Sequence, residues 1–456
     1  MERIDVAVVG GGPAGAAAAT AAAERGASVA VFEKGVPRAD REGPGPDSTD
    51  AAGILDYWVE LMGIDPADLP DGVVLRELDA AEFIGPTETL RLRETGIDAD
   101  YPHFGFTYDR ARFDDWMVER AETAGADYRL GTAVAGVKTD PTGPTHHVSL
   151  RSGEALEADA LVLADGPQRT VTLPVLAQFL PDGRAETALD STVANHIAYQ
   201  EYRRFPEDAF EPSTLKFWWG HMPGHTAYPW VFPNDDTVAR VGLTMPIGID
   251  LETVRKRDAY ALLRPDDERV PAGGEYVRRL LEFAYGDRYD VDDFPLVEDR
   301  GKRNGTETYP ISSTRPVDSP AGANVAVVGG AMGATSAFHE GGGHVAVRTG
   351  QIAGELAARG ELARYNRTWK EAIGSEVLRN VAMADLVRDF EPADWDRAFR
   401  IASRLQALGA DGGITVLRGV RAAGVAGLRL AAGYQWRKRR YRDGRYVQIA
   451  EDEYAI

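Results

Sequence analysis

An apolar run, Ile4 to Val9, leads without a break into Gly10-Gly11-Gly12-Pro13-Ala14-Gly15. Pro13 to Arg25 then reads as an alanine-rich helix, and Ser28 to Glu33 as a second apolar strand ending on a carboxylate. This is a βαβ unit with a GxGxxG turn. Gly10 permits the tight turn, Gly12 lets backbone amides approach a pyrophosphate, and Gly15 lets helix and strand pack closely. Glu33, 23 residues after Gly10 and followed by Lys34, stands where a carboxylate accepts hydrogen bonds from ribose hydroxyls. A glycine turn without ligand is the plain alternative, but the strand, turn, helix and acidic strand end together point to a dinucleotide. NAD and FAD satisfy the pattern equally.

Composition narrows the chemistry. The 71 acidic and 51 basic residues leave a net charge of -20, and only seven of the basic residues are lysine, which argues against a nucleic-acid partner. Carboxylate-rich, lysine-poor surfaces suit a high-GC or salt-adapted cytosol, so a halophilic source is expected. With no cysteine, the chain has no disulfide, thiolate metal site, cysteine-bound iron-sulfur cluster or redox dithiol. Electrons must pass through a bound cofactor. Met1 lies almost on the first strand and no run of about 18 apolar residues occurs, so a cytoplasmic protein without a leader or spanning helix is expected.

Further along, Gly35 to Asp50 reads as a loop and Ala51 to Met62 as helix. Asp109 to Ala124 reads as a helix with Phe113, Trp116, Met117 and Ala121 on one side, and Ala160 to Ala164 as a buried strand. From Thr192 to Met245 the pattern is β-rich and aromatic, which predicts a second, antiparallel domain. Asn324 to Val328 and His344 to Arg359 return to strand and helix, and the chain beyond Glu361 reads helical. The expected domains are residues 1–170 for the nucleotide, with an insertion near 70–105; 171–300 for the substrate; 301–360 as the return to the first domain; and 361–456 as a helical region with a basic tail.

Three later segments favour FAD. Asp109-Arg110-Ala111-Arg112-Phe113-Asp114 resembles the helix that flavoprotein hydroxylases and reductases place beside their FAD, and Ala164-Asp165-Gly166 resembles their strand-ending segment. Val328-Gly329-Gly330-Ala331-Met332-Gly333, with Gly342-Gly343-His344, resembles their third FAD segment, where a helix N-terminus faces the flavin and its dipole favours an anionic reduced form. Gly330 stands where the pattern has aspartate. Tyr228-Pro229-Trp230-Val231-Phe232-Pro233 fits the YxWxFP motif of the geranylgeranyl reductase family, followed by Gly242-Leu243-Thr244 where the family has GxG.

This resemblance covers most of the chain. It implies an α/β fold of the p-hydroxybenzoate-hydroxylase type: a Rossmann-like FAD domain, an antiparallel substrate sheet and a helical C-terminal region. It also implies reduction of isoprenoid double bonds, such as lipid geranylgeranyl groups, by hydride from flavin N5. The implied FAD residues are Gly10, Gly12, Pro13, Ala14, Gly15, Glu33, Lys34, Arg110, Arg112, Asp165, Gly166, Gly329, Gly330, Met332, Gly333, Gly342 and Gly343. The implied substrate residues are Tyr228, Trp230, Phe232, Pro233 and Gly242. Strand alternation puts Tyr228, Trp230 and Phe232 on one face, an apolar wall suited to a hydrocarbon, although such a stripe also suits plain sheet core.

Several choices stay open at this level. Tyr228 and His339 are the candidate proton donors. The electron donor is NAD(P)H or ferredoxin. Flavin-dependent halogenases carry a similar motif, but no lysine lies between Lys34 and Lys138 to act as theirs does. A flavin monooxygenase, a quinone-coupled dehydrogenase and a non-catalytic flavin or lipid carrier are the alternatives. The histidines show no metal-ligand spacing. Ile414 to Tyr446 carries a local charge of +8. There Val416, Val420, Ala423, Gly427, Leu430 and Tyr434 share a helical face opposite Arg418, Arg421 and Arg429, ahead of the basic run Arg437 to Arg440. That pattern fits either an anchor on an anionic membrane surface or a basic helix docked on the acidic body.

Overall fold

Two large sheets organise the chain, and each draws strands from distant stretches of sequence. The protein is described from a computed structural model covering residues 2–35, 52–140, 143, 145–189, 196–312, 314–407 and 414–456, with side chains in the last stretch from residue 427 onward.

The first sheet has the order β8 (Asp127–Arg129), β2 (Val29–Phe32), β1 (Glu2–Val9), β11 (Ala155–Leu163), β10 (Thr145–Leu150), β9 (Val134–Asp140). Its β8, β2, β1 and β11 are parallel. Strand β11 serves two neighbours on one edge: Ala155 to Ala158 pair antiparallel with β10, while Leu161 to Leu163 pair in parallel with β17 (Val325–Val327). Residues Val6 to Val9 and Val29 to Phe32 are all buried, as a parallel sheet covered on both faces requires.

Helix α1 (Pro13–Ala23) crosses from β1 to β2 and packs along α7 (Gly343–Ala358). The two backbones approach so closely that a Cβ at Gly350 would lie 2.1 Å from the Ala14 carbonyl oxygen, and one at Gly354 2.0 Å from that of Ala18. Small residues on both helices are the reason they can meet there. Helix α3 (Arg110–Thr123) buries Phe113, Trp116, Met117 and Ala121.

The second sheet runs β16 (Thr306–Ile311), β12 (His196–Arg204), β15 (Val238–Pro246), β14 (Tyr228–Pro233), β13 (Thr214–Trp218), β5 (Ala80–Ile84), β6 (Thr89–Leu92). It is antiparallel except where β13 meets β5. One face packs Val231, Val241 and Leu243 with α6 (Gly273–Tyr285); the other carries Tyr228, Trp230 and Phe232.

A third, small sheet joins β3 (Gly53–Leu55), β7 (Gly105–Tyr108) and β4 (Val74–Leu78). Here the helical expectation for residues 51–62 needs correction: Gly53 to Leu55 pair antiparallel with Gly105 to Thr107, and α2 (Asp56–Met62) begins only afterwards. Gly105, at φ 155°, lets the strands close up, since a Cβ there would sit 2.1 Å from the Ile54 carbonyl oxygen. Long-range pairing overrides local spacing. The loop expected over Gly35 to Asp50 lies, beyond Gly35, outside the described residues.

Short helices α4 (Thr172–Leu176) and α5 (Arg184–Leu189) follow β11. The C-terminal region contains α8 (Tyr365–Val387), α9 (Pro392–Ala407) and α10 (Ile414–Arg440). After α10 the chain packs back against residues 184, 317 and 318. Ile449 bridges to Val317, Arg184 pairs with Glu453 at 2.8 Å, and the Tyr454 hydroxyl donates to the Asp318 carbonyl oxygen at 2.6 Å.

Candidate functional site

At the end of β1 the chain turns at Gly10, whose φ of 101° is a conformation L side chains rarely adopt; a Cβ there would lie 2.3 Å from the Ala164 carbonyl oxygen. A Cβ at Gly15 would lie 1.9 Å from the Gly10 carbonyl oxygen. Gly12 caps α1 through its backbone alone, with no side-chain hydrogen bond, and a Cβ there would meet nothing within 4 Å. Pro13 and Ala14 form the first turn, so the positive end of the helix dipole faces open space. The Glu33 carboxylate accepts from the Gly11 amide at 2.7 Å and the Gly35 amide at 2.6 Å, which fixes it at the lip of the turn. Lys34 reaches Gln168 at 3.3 Å. The Tyr128 hydroxyl donates to the Gly11 carbonyl oxygen at 2.6 Å, a brace contributed from β8 that the local pattern does not announce.

The later glycine segment comes against this turn. A Cβ at Gly329 (φ 57°) would approach Ala14 Cβ to 2.9 Å and Ala346 Cβ to 3.2 Å, and one at Gly330 would approach Pro167 Cδ to 3.3 Å. Residues 10–15, 164–167, 329–333 and the start of α7 therefore converge. The first turn of α7, Gly342 and Gly343, has no side-chain cap, and a Cβ on Gly343 would reach the Tyr108 hydroxyl at 3.9 Å. Two uncapped helix N-termini opening on one crevice, with an acidic residue at its rim, fit a dinucleotide such as FAD.

Other residues named from the sequence occupy less direct places. Arg110 is buried, with Nε 2.6 Å from the Asp114 carboxylate, whereas Arg112, two positions on, lies on the exposed side of α3. The Asp165 carboxylate accepts from the amides of Val171 at 2.7 Å and Thr172 at 3.0 Å, so its side chain holds the start of α4, while Gly166 (φ 71°) lines the crevice through its backbone. Met332 is fully buried beneath Tyr365, and Gly333 (φ 77°) ends its turn.

Arg169 was not legible as a site residue. Its fully buried guanidinium donates to the carbonyl oxygens of Ala331 at 2.8 Å, Gly330 at 3.0 Å and Leu189 at 2.8 Å, and to the Ser312 hydroxyl at 2.7 Å. Burial lowers its pKa to about 10, which leaves it charged at neutral pH. The arginine thus clamps the Gly329–Met332 turn from behind; its presence four residues after Asp165 is the only sequence signal.

Beside the start of α7 sits a titratable cluster. His344 Nε2 lies 2.8 Å from the Glu376 carboxylate, and its ring stacks on Trp58 at 4.1 Å and 7°. Burial pushes the Glu376 carboxyl up, but His344, by charge and hydrogen bond, with Arg379, outweighs it and holds the group at about 2. His339 Nδ1 accepts from the Gly341 amide at 3.2 Å; desolvation lowers its pKa to about 3, so its ring is neutral at physiological pH. The Tyr228 hydroxyl donates to the His339 carbonyl oxygen at 2.7 Å, and burial raises its pKa well above 10. The two candidate proton donors are therefore linked through the main chain.

Tyr228, Trp230 and Phe232 share one buried face. Trp219 stacks on Tyr228 at 4.4 Å and on Phe338 at 5.4 Å, and meets Trp395 of α9 at 4.5 Å. Gly242 makes room for this wall: a Cβ there would lie 2.6 Å from Trp230 Cζ2. Pro233 closes β14. Trp219, Trp395 and Phe338 extend the wall from elements far apart in sequence, which motif reading could not supply.

Comparison with known proteins agrees with this geometry. The FAD binding domain family matches residues 5–41. Digeranylgeranylglycerophospholipid reductase 2 of Methanothermobacter thermautotrophicus is 26% identical over 411 residues, covering 87% of this chain and 91% of that protein. Geranylgeranyl diphosphate reductase of Synechocystis sp. is 28% identical over 286 residues, 60% of this chain and 62% of that one. The solved structure of a geranylgeranyl bacteriochlorophyll reductase-like protein from Thermoplasma acidophilum superposes with a TM-score of 0.68 at 19% identity, covering 95% of this chain and all of that one. The fold is thus the p-hydroxybenzoate-hydroxylase-like flavoprotein arrangement. With the glycine crevice, the aromatic strand and these relatives in agreement, the chain is an FAD-dependent oxidoreductase similar to the geranylgeranyl reductases.

Proposed function

We propose that the protein reduces carbon-carbon double bonds in isoprenoid chains, such as geranylgeranyl groups carried by lipids. The observation that carries this reading is the contact between Tyr228, at the head of the aromatic wall, and His339, in the segment that leads into the flavin-facing helix α7. An apolar wall that abuts the redox crevice suits a hydrocarbon substrate and excludes water from it. Curated relatives named as reductases of geranylgeranyl compounds support the same substrate class.

When bound and reduced, FAD would supply a hydride from its N5, having been reduced either by hydride from NAD(P)H or by two single electrons from ferredoxin with a proton from solvent. Residues 10–15, Glu33, 164–166, 329–333 and 342–343 would hold the cofactor. An unactivated alkene accepts hydride poorly, so a proton must reach the second carbon in near concert. Tyr228 and His339 are the candidate donors: the Tyr228 hydroxyl keeps its proton across the physiological range but burial makes it a weak acid, and the neutral His339 ring carries no extra proton. Glu376, His344 and Trp58 fix the first turn of α7.

The reaction is tested by anaerobic addition of a geranylgeranyl lipid to the reduced holoenzyme. Reoxidation of the flavin with a mass gain of about 2 per bond is expected, whereas an oxygen-dependent gain of about 16 would assign a monooxygenase. Trp230→Ala should weaken turnover of long chains and keep the flavin content; equal loss of both would make Trp230 a core residue only.

We further propose that the C-terminal basic region rests on an anionic membrane, giving a cytoplasmic protein peripheral to the inner membrane face. Leu428 and Trp436 of α10 are exposed beside the basic run Arg437 to Arg440, and among the described residues no helix is long and apolar enough to cross a bilayer. The side chains of Val416, Arg418, Val420, Arg421 and Ala423 lie outside the described residues. Flotation with anionic vesicles, compared with a chain ending at Asp411, tests the association.

A further inference from the structure

A cleft of about 440 Å³ opens between α8, the end of α10 and residues Thr314 and Arg315, which follow β16. Four arginines, Arg315, Arg388, Arg440 and Arg445, line it in a chain whose net charge is -20. Among the described lining residues Asp385 is the only carboxylate, and it is engaged by Arg388 at 3.4 Å and Arg437 at 3.2 Å. Among the described residues, Arg315, Arg440 and Arg445 have no carboxylate partner. Instead the guanidinium groups of Arg315 and Arg440 lie 5.9 and 5.6 Å from the Tyr441 ring centre, and Arg315 Nη1 reaches the Arg445 carbonyl oxygen at 3.4 Å. Three uncompensated cations gathered around one concavity repel each other, and an anion that reaches all three removes the repulsion.

The inner wall of the cleft adjoins the reaction region. Ala337 and His196 line it; Ala337 precedes by two residues the His339 whose carbonyl holds Tyr228, and His196 Nε2 lies 3.6 Å from the Glu340 carboxylate.

We propose that this cleft binds the phosphate-ester headgroup of the substrate, with Arg315, Arg440 and Arg445 as its cationic ligands. The inference rests on the isoprenoid-reductase reading and adds to it the anchor for the polar end of the molecule. Guanidinium forks match phosphate oxygens two at a time, which is why arginine suits this task better than lysine. An ester held at the mouth leaves its hydrocarbon to run inward, past Ala337, toward the Tyr228 wall. The shared chemistry is a phosphate or diphosphate ester, whether it ends a free prenyl diphosphate or sits in a phospholipid headgroup.

The test uses FAD-loaded protein and the triple variant Arg315→Gln, Arg440→Gln, Arg445→Gln, with Arg404→Gln, an exposed arginine of α9 outside the cleft, as control. Steady-state reduction of geranylgeranyl diphosphate, a geranylgeranyl ether phospholipid and uncharged geranylgeraniol is measured for each. In the triple variant, KM for a phosphorylated substrate should rise about tenfold or more with kcat little changed. KM for geranylgeraniol should stay as it was, and Arg404→Gln should alter neither. The phosphorylated compound that responds identifies the source of the headgroup. A triple variant with unchanged KM for both esters, or with an equal rise for geranylgeraniol, overturns the proposal.

Calorimetric titration with inorganic diphosphate separates this outcome from failure of the functional reading. If no prenyl compound is reduced, loss of diphosphate binding in the triple variant still upholds the anion site, and undiminished binding removes it.

Discussion

Single residues of the crevice divide into those whose role is steric and those whose role is relational. Gly10 and Gly15 were legible because each meets backbone within a few residues of β1 or in a strand that must lie beside it. Arg169 was not, because four of its five acceptors come from residues 189, 312, 330 and 331, which only the fold assembles. Arg169→Gln would leave several buried carbonyls short of donors, at a cost of about 3 kcal/mol or more. The expected result is a lower Tm and a reduced flavin content per chain, read from visible absorbance, without any change in the residues that touch the nucleotide. Trp58 and Glu376 were missed for the same reason as Arg169: they meet His344 across long sequence separations. Asp165 shows the converse, a motif carboxylate whose oxygens are occupied with the amides of α4.

At the level of elements, the opening βαβ unit could be read almost to the residue, because apolar strands, a glycine turn and an alanine helix reinforce one another locally. The Gly53–Leu55 strand could not, since its three residues take their conformation from β7. The tight seam between α1 and α7 belongs to the same class. Gly350 lies well inside α7, and a methyl group there would have to displace the α1 backbone. Gly350→Ala, which would favour an isolated helix by up to about 1 kcal/mol, should instead destabilise this protein. It should also weaken FAD retention by moving the two helix ends apart. Equilibrium dialysis of the flavin alongside thermal unfolding checks both; a raised Tm with unaltered binding would contradict the seam.

For the whole molecule, acid sensitivity follows from buried neutral imidazoles. Burial lowers His146 and His196 to about 4, and each ring is almost inaccessible to solvent. Their folded values lie below the unfolded one, so their stabilising contribution is complete above about pH 6.5 and is lost as the pH falls toward 4. Most carboxylates remain ionised down to about pH 5, so the interval between 6.5 and 5 reports chiefly on such histidines. Tm should decline across that interval, and His146→Asn should make the decline shallower; a flat profile would be inconsistent with neutral burial. One feature at the centre of the fold reaches beyond the test tube. Because α1 and α7 end in bare backbone at the crevice, the dinucleotide completes them, and any ligand that binds only the folded chain raises its resistance to unfolding. Chains made faster than riboflavin metabolism can furnish FAD would be the first exposed to proteases, so cellular levels of this protein should track vitamin supply as well as gene expression.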